Sequence, residues 1–206
     1  MISIVDYGVG NIQAIVNIYK RLNIPVRRSR TAKELAGAEK IILPGVGSFD
    51  WAMARLDQSG MRAALDELVV SQGKPVLGIC VGMQMMAKRS EEGSLNGLGW
   101  VDAEVKRLNG QGKRPAYCAY LPHMGWNDVE PCEEDGLFKG IGATGRFYFL
   151  HSYFFSPKDQ KTILALTNYG APFASSVRAG NIFGVQFHPE KSHHWGIQLL
   201  KNFAEL

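Results

Sequence analysis

Residues 75–82, Pro75-Val76-Leu77-Gly78-Ile79-Cys80-Val81-Gly82, are the stretch that decides the fold. Residues 75–79 form a short, uniformly apolar run, which is typical of a strand buried on both faces of a parallel sheet. A helix is predicted from about Met83 onward. The glycines on both sides of Cys80 permit a tight strand-to-helix turn that carries a side chain clear of the sheet. The stretch therefore predicts a cysteine displayed at the carboxyl end of a central strand.

The same alternation of short apolar runs and helical patterns precedes this stretch. Strands are predicted at 2–6, from Pro25 and Val26 onward, and at 40–43, the last ended by Pro44 and Gly45. Helices are predicted at 11–22, 50–57 and 61–72, where apolar residues recur at steps of three and four. Short apolar strands that alternate with helices predict a mainly parallel sheet covered by helices on both faces.

After Gly97 the pattern changes to strand-like segments joined by turn residues. These segments are 101–108, 127–130, 146–155, 162–168, 174–178 and 181–186, and an amphipathic helix is predicted at 194–206. A chain of 206 residues suits one compact domain. The predicted fold class is therefore α/β, a single domain over 1–206 whose mainly parallel central sheet is flanked by helices, with extra antiparallel strands in the second half.

Composition argues against several other classes of protein. Apolar residues make up 46% and charged residues 20% of the chain, as in ordinary globular proteins. No apolar run approaches the roughly 20 residues that span a bilayer, and no basic leader precedes the first strand. The net charge of +4 is scattered, and its densest cluster, Arg27, Arg28 and Arg30, favours a solvated edge over a nucleic-acid site. We expect a cytoplasmic protein that binds neither nucleic acid nor membrane.

Three cysteines, Cys80, Cys118 and Cys132, show no paired spacing for zinc or for a disulfide framework. No metal or cofactor is expected. Cys80 would lie near a helix N-terminus, which favours the thiolate, whereas an unperturbed thiol is only about 3% ionised at pH 7. A small buried cysteine packed beneath the helix is the alternative. Cys118 and Cys132 lack such a turn and are interpreted as structural.

A nucleophilic thiol needs a base, and His188 is the best candidate. It follows the apolar run 182–187 and precedes Pro189 and Glu190. Because functional groups gather at the carboxyl ends of parallel strands, His188 and Cys80 are expected to meet there. Pro189 stiffens the turn, and Glu190 would orient the imidazole and stabilise its charged form. A histidine that caps a strand beside a solvated Glu190 is the alternative.

Two motifs, Gly78-Ile79-Cys80-Val81-Gly82-Met83-Gln84 and Phe187-His188-Pro189-Glu190, resemble the signatures of class I glutamine amidotransferase domains, which have a flavodoxin-like fold. Further stretches are similar to the glutaminase subunits of imidazole glycerol phosphate synthases. These stretches are 6–11, 43–49, 90–93, 122–127 and 148–153. The resemblance covers nearly the whole chain.

The resemblance implies a Cys80, His188 and Glu190 triad that hydrolyses glutamine to glutamate and ammonia through a thioester. It further implies that Gln84, Glu92 and Ser152 hold the amino-acid part of glutamine. Gln84 lies four residues after Cys80, hence on the same helical face, and Glu92 supplies an anion for the substrate ammonium. The oxyanion hole would be formed by Val81 and by the loop residues Gly45, Val46 and Gly47.

The resemblance also implies a heterodimer with a (β/α)8 barrel cyclase that receives the ammonia in histidine biosynthesis. The positions associated with that junction are Asn11, His123, Trp126, Tyr148 and Lys191. For the two aromatic residues, burial in the core is the alternative. Three other functions remain open at this stage: an ammonia supply for amidination of a surface-polysaccharide sugar, a catalytically silent binding module, and a cysteine peptidase. The intact triad argues against the silent module, and Gln84 argues against the peptidase.

Overall fold

A computed structural model describes residues 1–108, 120–133 and 136–206. The strands are β1 (Ile2–Val5), β2 (Val26–Ser29), β3 (Lys40–Gly45), β4 (Val76–Cys80), β5 (Arg89–Ser90), β6 (Ala103–Arg107), β7 (His123–Pro131), β8 (Gly145–His151), β9 (Tyr153–Pro157), β10 (Ile163–Asn168), β11 (Pro172–Ala179) and β12 (Ile182–Val185). The α-helices are α1 (Ile12–Arg21), α2 (Ala32–Leu35), α3 (Phe49–Gln58), α4 (Arg62–Asp66), α5 (Val81–Met85) and α6 (His193–Glu205). A π-helical turn, Glu67–Ser71, continues α4. Within these ranges no helix is long and apolar enough to cross a membrane.

The main sheet has nine strands in the order β2-β1-β3-β4-β12-β11-β10-β7-β8. The first five are parallel, in the flavodoxin-like order, and the remaining pairs are antiparallel. A smaller sheet has the order β5-β6-β9. The predicted fold class, a mainly parallel centre with antiparallel strands added by the second half, is confirmed.

The predicted apolar runs form the central strands of the core. Every residue of β1, β4 and β12 is buried, as expected for strands covered on both faces. Helix α1 covers one face with the predicted stripe, including Ile12, Ile15 and Tyr19, while the polar side of the helix faces solvent. Burial of this central sheet gives the carboxyl ends of β4 and β12 a rigid base.

Predicted element boundaries needed three corrections near the site. The segment 146–155 is two strands, because the chain leaves β8 at Ser152 and crosses to the smaller sheet, where β9 pairs with β6. Strand β3 runs through Pro44 to Gly45 and stays paired with β4 to its end. The missing N–H of Pro44 costs no β1 bond, because β1 pairs only with residues up to Ile42. Helix α5 begins at Val81 rather than near Met83, because the backbone turns sharply at Cys80.

Candidate active site

Cys80 occupies the sharp turn between β4 and α5. Its backbone adopts φ 55° and ψ −114°, a left-handed conformation that costs a non-glycine residue about 1–3 kcal/mol. The turn presses against β3, so that a Cβ atom on Gly82 would lie 1.9 Å from the Leu43 carbonyl oxygen. Only glycine fits at residue 82. Strain of this kind at a cysteine is typical of a nucleophile held at a fixed position.

The neighbouring strand supplies the base. β4 and β12 run parallel with Ile79 opposite Val185, so Cys80 and His188 leave the same edge of the sheet. The Nδ1 atom of His188 donates to Oε1 of Glu190 at 2.9 Å, and both side chains are buried. The hydrogen bond fixes the ring so that Nε2 is left for the thiol or the substrate.

The charges of Cys80, His188 and Glu190 reinforce one another. Burial alone would favour neutral His188, but interactions with the Cys80 side chain and the Glu190 carboxylate raise the pKa of His188 to about 10. At neutral pH the imidazole is therefore protonated. A protonated imidazole beside the thiol stabilises the thiolate and is ready to give a proton to a leaving group.

His188 is also held through its backbone. Its N–H donates to the Tyr148 carbonyl oxygen at 2.8 Å. The buried Ser192 hydroxyl accepts from the Tyr148 N–H at 3.0 Å and donates to the His188 carbonyl oxygen at 2.6 Å. Ser192 therefore ties the triad segment to β8. Sequence reasoning did not place Ser192 in the site, since a serine after Lys191 carries no local signal of this role.

Gln84 lies on α5, four residues after Cys80, and is buried. Its amide nitrogen donates to the Tyr153 carbonyl oxygen at 2.9 Å and to Oε1 of Gln186 at 3.0 Å. Both N–H bonds are thus committed within the protein. The polar atom that Gln84 can offer a substrate is its carbonyl oxygen, an acceptor that suits an ammonium or amide N–H group.

Glu92 and Ser152 are held by contacts at two separate places. Oε2 of Glu92 accepts from the Phe49 N–H at 2.8 Å, which joins Glu92 to the first turn of α3. Half-buried Ser152 lies at the break between β8 and β9, and its carbonyl oxygen accepts from the Leu108 N–H at 2.9 Å. Their contact with glutamine remains a prediction.

The predicted oxyanion loop begins at Gly45, the last residue of β3, and lies beside the turn at Cys80, which is called the elbow below. Gly45 is the register partner of Cys80, Val46 is exposed, and Gly47 has φ +85°. The buried Tyr7 hydroxyl donates to the Pro44 carbonyl oxygen at 2.7 Å and so anchors the base of the loop. Val81 is the first residue of α5, where its N–H is free of the helical ladder. An oxyanion role for these groups remains a prediction, and Tyr7 was missed because its partner is distant in sequence.

Three of the five predicted junction residues, His123, Trp126 and Tyr148, lie on the β7–β8 hairpin. Trp126 and Tyr148 are cross-strand partners on the outer face, with ring centroids 6.2 Å apart, and Nζ of Lys191 lies 5.4 Å from the Tyr148 ring centre. His123 lies on the inner face of β7 and is buried. Exposed Asn11 precedes α1. Trp126, Tyr148 and Lys191 thus lie together at the outer face. His123 lies on the opposite, inner face and would not contact a partner docked on the outer face.

Of the remaining cysteines, the structure describes only Cys132, which lies apart from Cys80 and His188. Cys132 follows the end of β7, has a free thiol and is exposed. Cys118 lies outside the described residues. Of the cysteines in the described part of the chain, Cys80 alone combines burial with a neighbouring histidine.

Comparison with known proteins identifies the fold and its chemistry. Residues 3–206 match the family described as Glutamine amidotransferase class-I. The chain belongs to this family. The amidotransferase is 58% identical to the imidazole glycerol phosphate synthase subunit HisH of Bdellovibrio bacteriovorus and 48% identical to that of Leptospira borgpetersenii, with full coverage of both chains in each case. The predicted family and the predicted type of enzyme, a glutamine amidotransferase, are confirmed.

Solved structures agree on the fold of the amidotransferase. A structure described as a glutamine amidotransferase superposes with a TM-score of 0.73 at 20% identity, covering 100% of this chain and 99% of its own. At this identity the likeness concerns the fold alone.

Proposed function

We propose that this amidotransferase is the glutaminase subunit of an imidazole glycerol phosphate synthase. It hydrolyses glutamine to glutamate and ammonia, and the ammonia serves histidine biosynthesis in the cytoplasm. The single observation that carries the proposal is the meeting of Cys80, at a strained elbow, with a buried His188–Glu190 pair. Two relatives that bear the name of this subunit, aligned over their full lengths, support the pathway.

The chemistry follows from the charge state of the triad. The Cys80 thiolate attacks the side-chain carboxamide carbon of glutamine and forms a tetrahedral oxyanion. As the C–N bond breaks, His188 gives its proton to the leaving nitrogen, which departs as ammonia, and a thioester remains on Cys80. His188 then takes a proton from water, whose oxygen attacks the thioester. Collapse of this second intermediate releases glutamate and returns the proton-bearing imidazole beside the thiolate.

The surroundings of Cys80 supply the substrate contacts in this proposal. The Glu92 carboxylate faces the α-ammonium of glutamine, and the Gln84 carbonyl oxygen and Ser152 complete the pocket. Backbone N–H groups of Val81 and of the Gly45-Val46-Gly47 loop stabilise the oxyanion. Loss of one such donor typically slows an enzyme by about 10²–10³-fold. The position of the loop next to the elbow, with Gly45 opposite Cys80, supports this assignment.

The ammonia is passed to a (β/α)8 barrel cyclase that binds as a heterodimer partner. Free ammonia would be protonated in water, so the transfer needs an enclosed junction. The β7–β8 outer face supports this role because it exposes Met124, Trp126 and Leu150 next to one another. The Leu150 carbonyl oxygen lies 4.0 Å from the Cys80 sulfur, so a protein docked on this face would cover the nucleophile. Lys191 and Asn11 would lie at the border of the contact.

The test uses the complex with the cyclase. Cys80→Ala should abolish glutamine-dependent synthesis and leave synthesis from added ammonium intact, whereas Cys132→Ser should preserve both. Retained glutaminase activity in Cys80→Ala would refute the mechanism. Deletion of the gene should cause histidine auxotrophy. Growth without histidine, accompanied by loss of a surface polysaccharide, would instead assign the ammonia to sugar amidination.

A further inference from the structure

A chain of buried side-chain hydrogen bonds ends on the Cys80 sulfur. The amide nitrogen of Gln186, a fully buried residue, lies 3.8 Å from Cys80 Sγ. Its carbonyl oxygen accepts from Gln84, which in turn donates to the Tyr153 carbonyl oxygen. Gln186 lies two residues before His188 and has no role in the triad described above.

The orientation of both amides follows from one backbone group. The Tyr153 carbonyl oxygen can only accept, so the Gln84 group that faces it must be the NH₂. That NH₂ group also faces Gln186, which must therefore present its oxygen to Gln84. The NH₂ group of Gln186 is then the one that faces the sulfur. The hydrogen-bond partners by themselves therefore show that Gln186 presents an N–H donor to the Cys80 sulfur.

The chain continues to β7 and fixes Tyr153 from a second side. Nδ1 of His151 donates to the same Tyr153 carbonyl oxygen at 2.8 Å, so its Nε2 accepts from Nδ1 of His123 at 3.0 Å. Nε2 of His123 then accepts from the Asn127 amide at 3.2 Å. Each donor in this series meets an acceptor, so a reversed Gln186 amide would oppose its NH₂ group to that of Gln84 and lose the buried bond between them.

We propose that Gln186 is a positioning residue for Cys80, which holds the sulfur at the elbow and stabilises its thiolate by donating an N–H bond fixed by Gln84. The inference rests on the proposed function in taking Cys80 as the nucleophile. The bond supplements His188, whose imidazole must move protons during the reaction and cannot hold the sulfur at every stage. The Gln186 amide does not titrate near neutral pH, so its N–H remains available to the sulfur when His188 changes its protonation state.

The test is the pH profile of Cys80 alkylation by iodoacetamide in the full chain, from about pH 5 to about pH 10, followed by mass spectrometry of the Cys80 peptide. The titratable groups that face the thiol are His188, backed by Glu190, and Tyr7, and all are kept. Gln186→Met retains the volume and removes the donor. It should reduce the preference for thiolate about fivefold, the effect of one hydrogen bond, and move the profile to higher pH. Gln186→Glu should move the profile further, because a carboxylate repels the thiolate.

Asn202→Leu is the matched control. Asn202 is a buried amide that donates to the Leu137 and Lys139 carbonyl oxygens, away from the elbow. Its replacement should lower stability but leave the alkylation profile of Cys80 in place. The inference is overturned if Gln186→Met has the wild-type profile or if Asn202→Leu moves the profile equally. Failure of wild-type chain plus cyclase to hydrolyse glutamine would instead overturn the proposed function, whatever the profiles show.

Discussion

The backbone N–H of His188 donates to the carbonyl oxygen of Tyr148 at 2.8 Å, so the proposed catalytic base is attached to the strand that exposes the proposed docking face. The Tyr148 ring lies on the outer face of β8 beside Trp126, while its peptide groups hold His188 and Ser192. A partner that displaces β8 would therefore displace the base as well. This link would give binding of the proposed cyclase a direct mechanical route to Cys80 and His188.

The first prediction concerns Ser192, whose hydroxyl joins β8 to the triad segment. Ser192→Ala leaves the Tyr148 N–H and one acceptor site of the His188 carbonyl oxygen unpaired inside the protein. We expect a loss of about 1–3 kcal/mol in the free energy of unfolding and a lower kcat for glutamine hydrolysis. Urea denaturation and assays in the cyclase complex measure the two effects.

Ser59→Ala is the control for Ser192→Ala. The Ser59 hydroxyl likewise donates to one backbone carbonyl, that of Leu56, and accepts from one backbone N–H, that of Met61. It should lose comparable stability without a fall in kcat. Equal kcat values in the two variants would show that Ser192 only stabilises the fold.

The second prediction concerns the dependence of stability on pH. The pKa of His188 rises from 6.5 to about 10 in the folded chain, through its bonds to Cys80 and Glu190. The folded state therefore binds the proton more tightly, and the resulting stability is complete below pH 6.5 and is lost as the pH rises through about 10. In the proposed ion pair the folded Cys80 has already lost its proton, and this offsets the proton gained by His188 until the unfolded thiol also ionises near its ordinary pKa of about 8.5. Between about pH 8.5 and 10 the wild type should therefore lose up to about 1.4 kcal/mol per pH unit more than His188→Asn. Urea denaturation at several pH values measures the difference, and parallel curves for the two proteins would contradict it.

The third prediction separates the two roles available to Glu92. Glu92→Gln keeps an oxygen that can accept from the Phe49 N–H but removes the charge for the substrate ammonium. If Glu92 binds glutamine, KM should rise about 10- to 100-fold, the value of a hydrogen bond to a charged group, with little change in melting temperature. An unchanged KM would mean that Glu92 serves only to hold the start of α3.

The fourth prediction concerns the outer face of the β7–β8 hairpin. Trp126 is 39% exposed and packs edge-on against Tyr148, as expected of an aromatic anchor at an interface. Trp126→Ala should weaken binding of the cyclase by about 2 kcal/mol or more, some 30-fold, as measured by calorimetry. Val70→Ser removes an exposed apolar side chain from the π-helical turn before β4, and it should leave binding unchanged.

Glutamine hydrolysis by the free chain gives a second measure of the same surface. We expect the isolated chain to hydrolyse glutamine slowly, because the Gly45-Val46-Gly47 loop is expected to complete the oxyanion hole only when the partner is bound. Addition of the cyclase should raise the rate for wild type and Val70→Ser, and far less for Trp126→Ala at the same concentration. Full activity without the cyclase would contradict the dependence on a partner.

The sequence by itself determined the features that depend only on residues close to one another along the chain. The apolar run ending at Cys80 predicted a buried central strand, and the flanking glycines predicted its turn, because periodicity and steric freedom act over a few residues. The position of His188 after another such run predicted the triad, since parallel strands bring their carboxyl ends to one edge. These signals required no knowledge of which distant segments touch.

Tertiary structure alone decided the contacts that surround the triad. Gln186 lies 106 residues from Cys80 along the chain, and Tyr7 lies 37 residues from Pro44. The break at Ser152 likewise depends on distant strands, because β7 pairs with the part of the segment before Ser152 and β6 pairs with the part after it. Such pairings follow from strand register and layer packing, which fix side-chain positions only after the whole sheet has formed. A glutamine or serine has the same local pattern whether it is solvated or buried against a nucleophile, so its role emerged only from the folded protein.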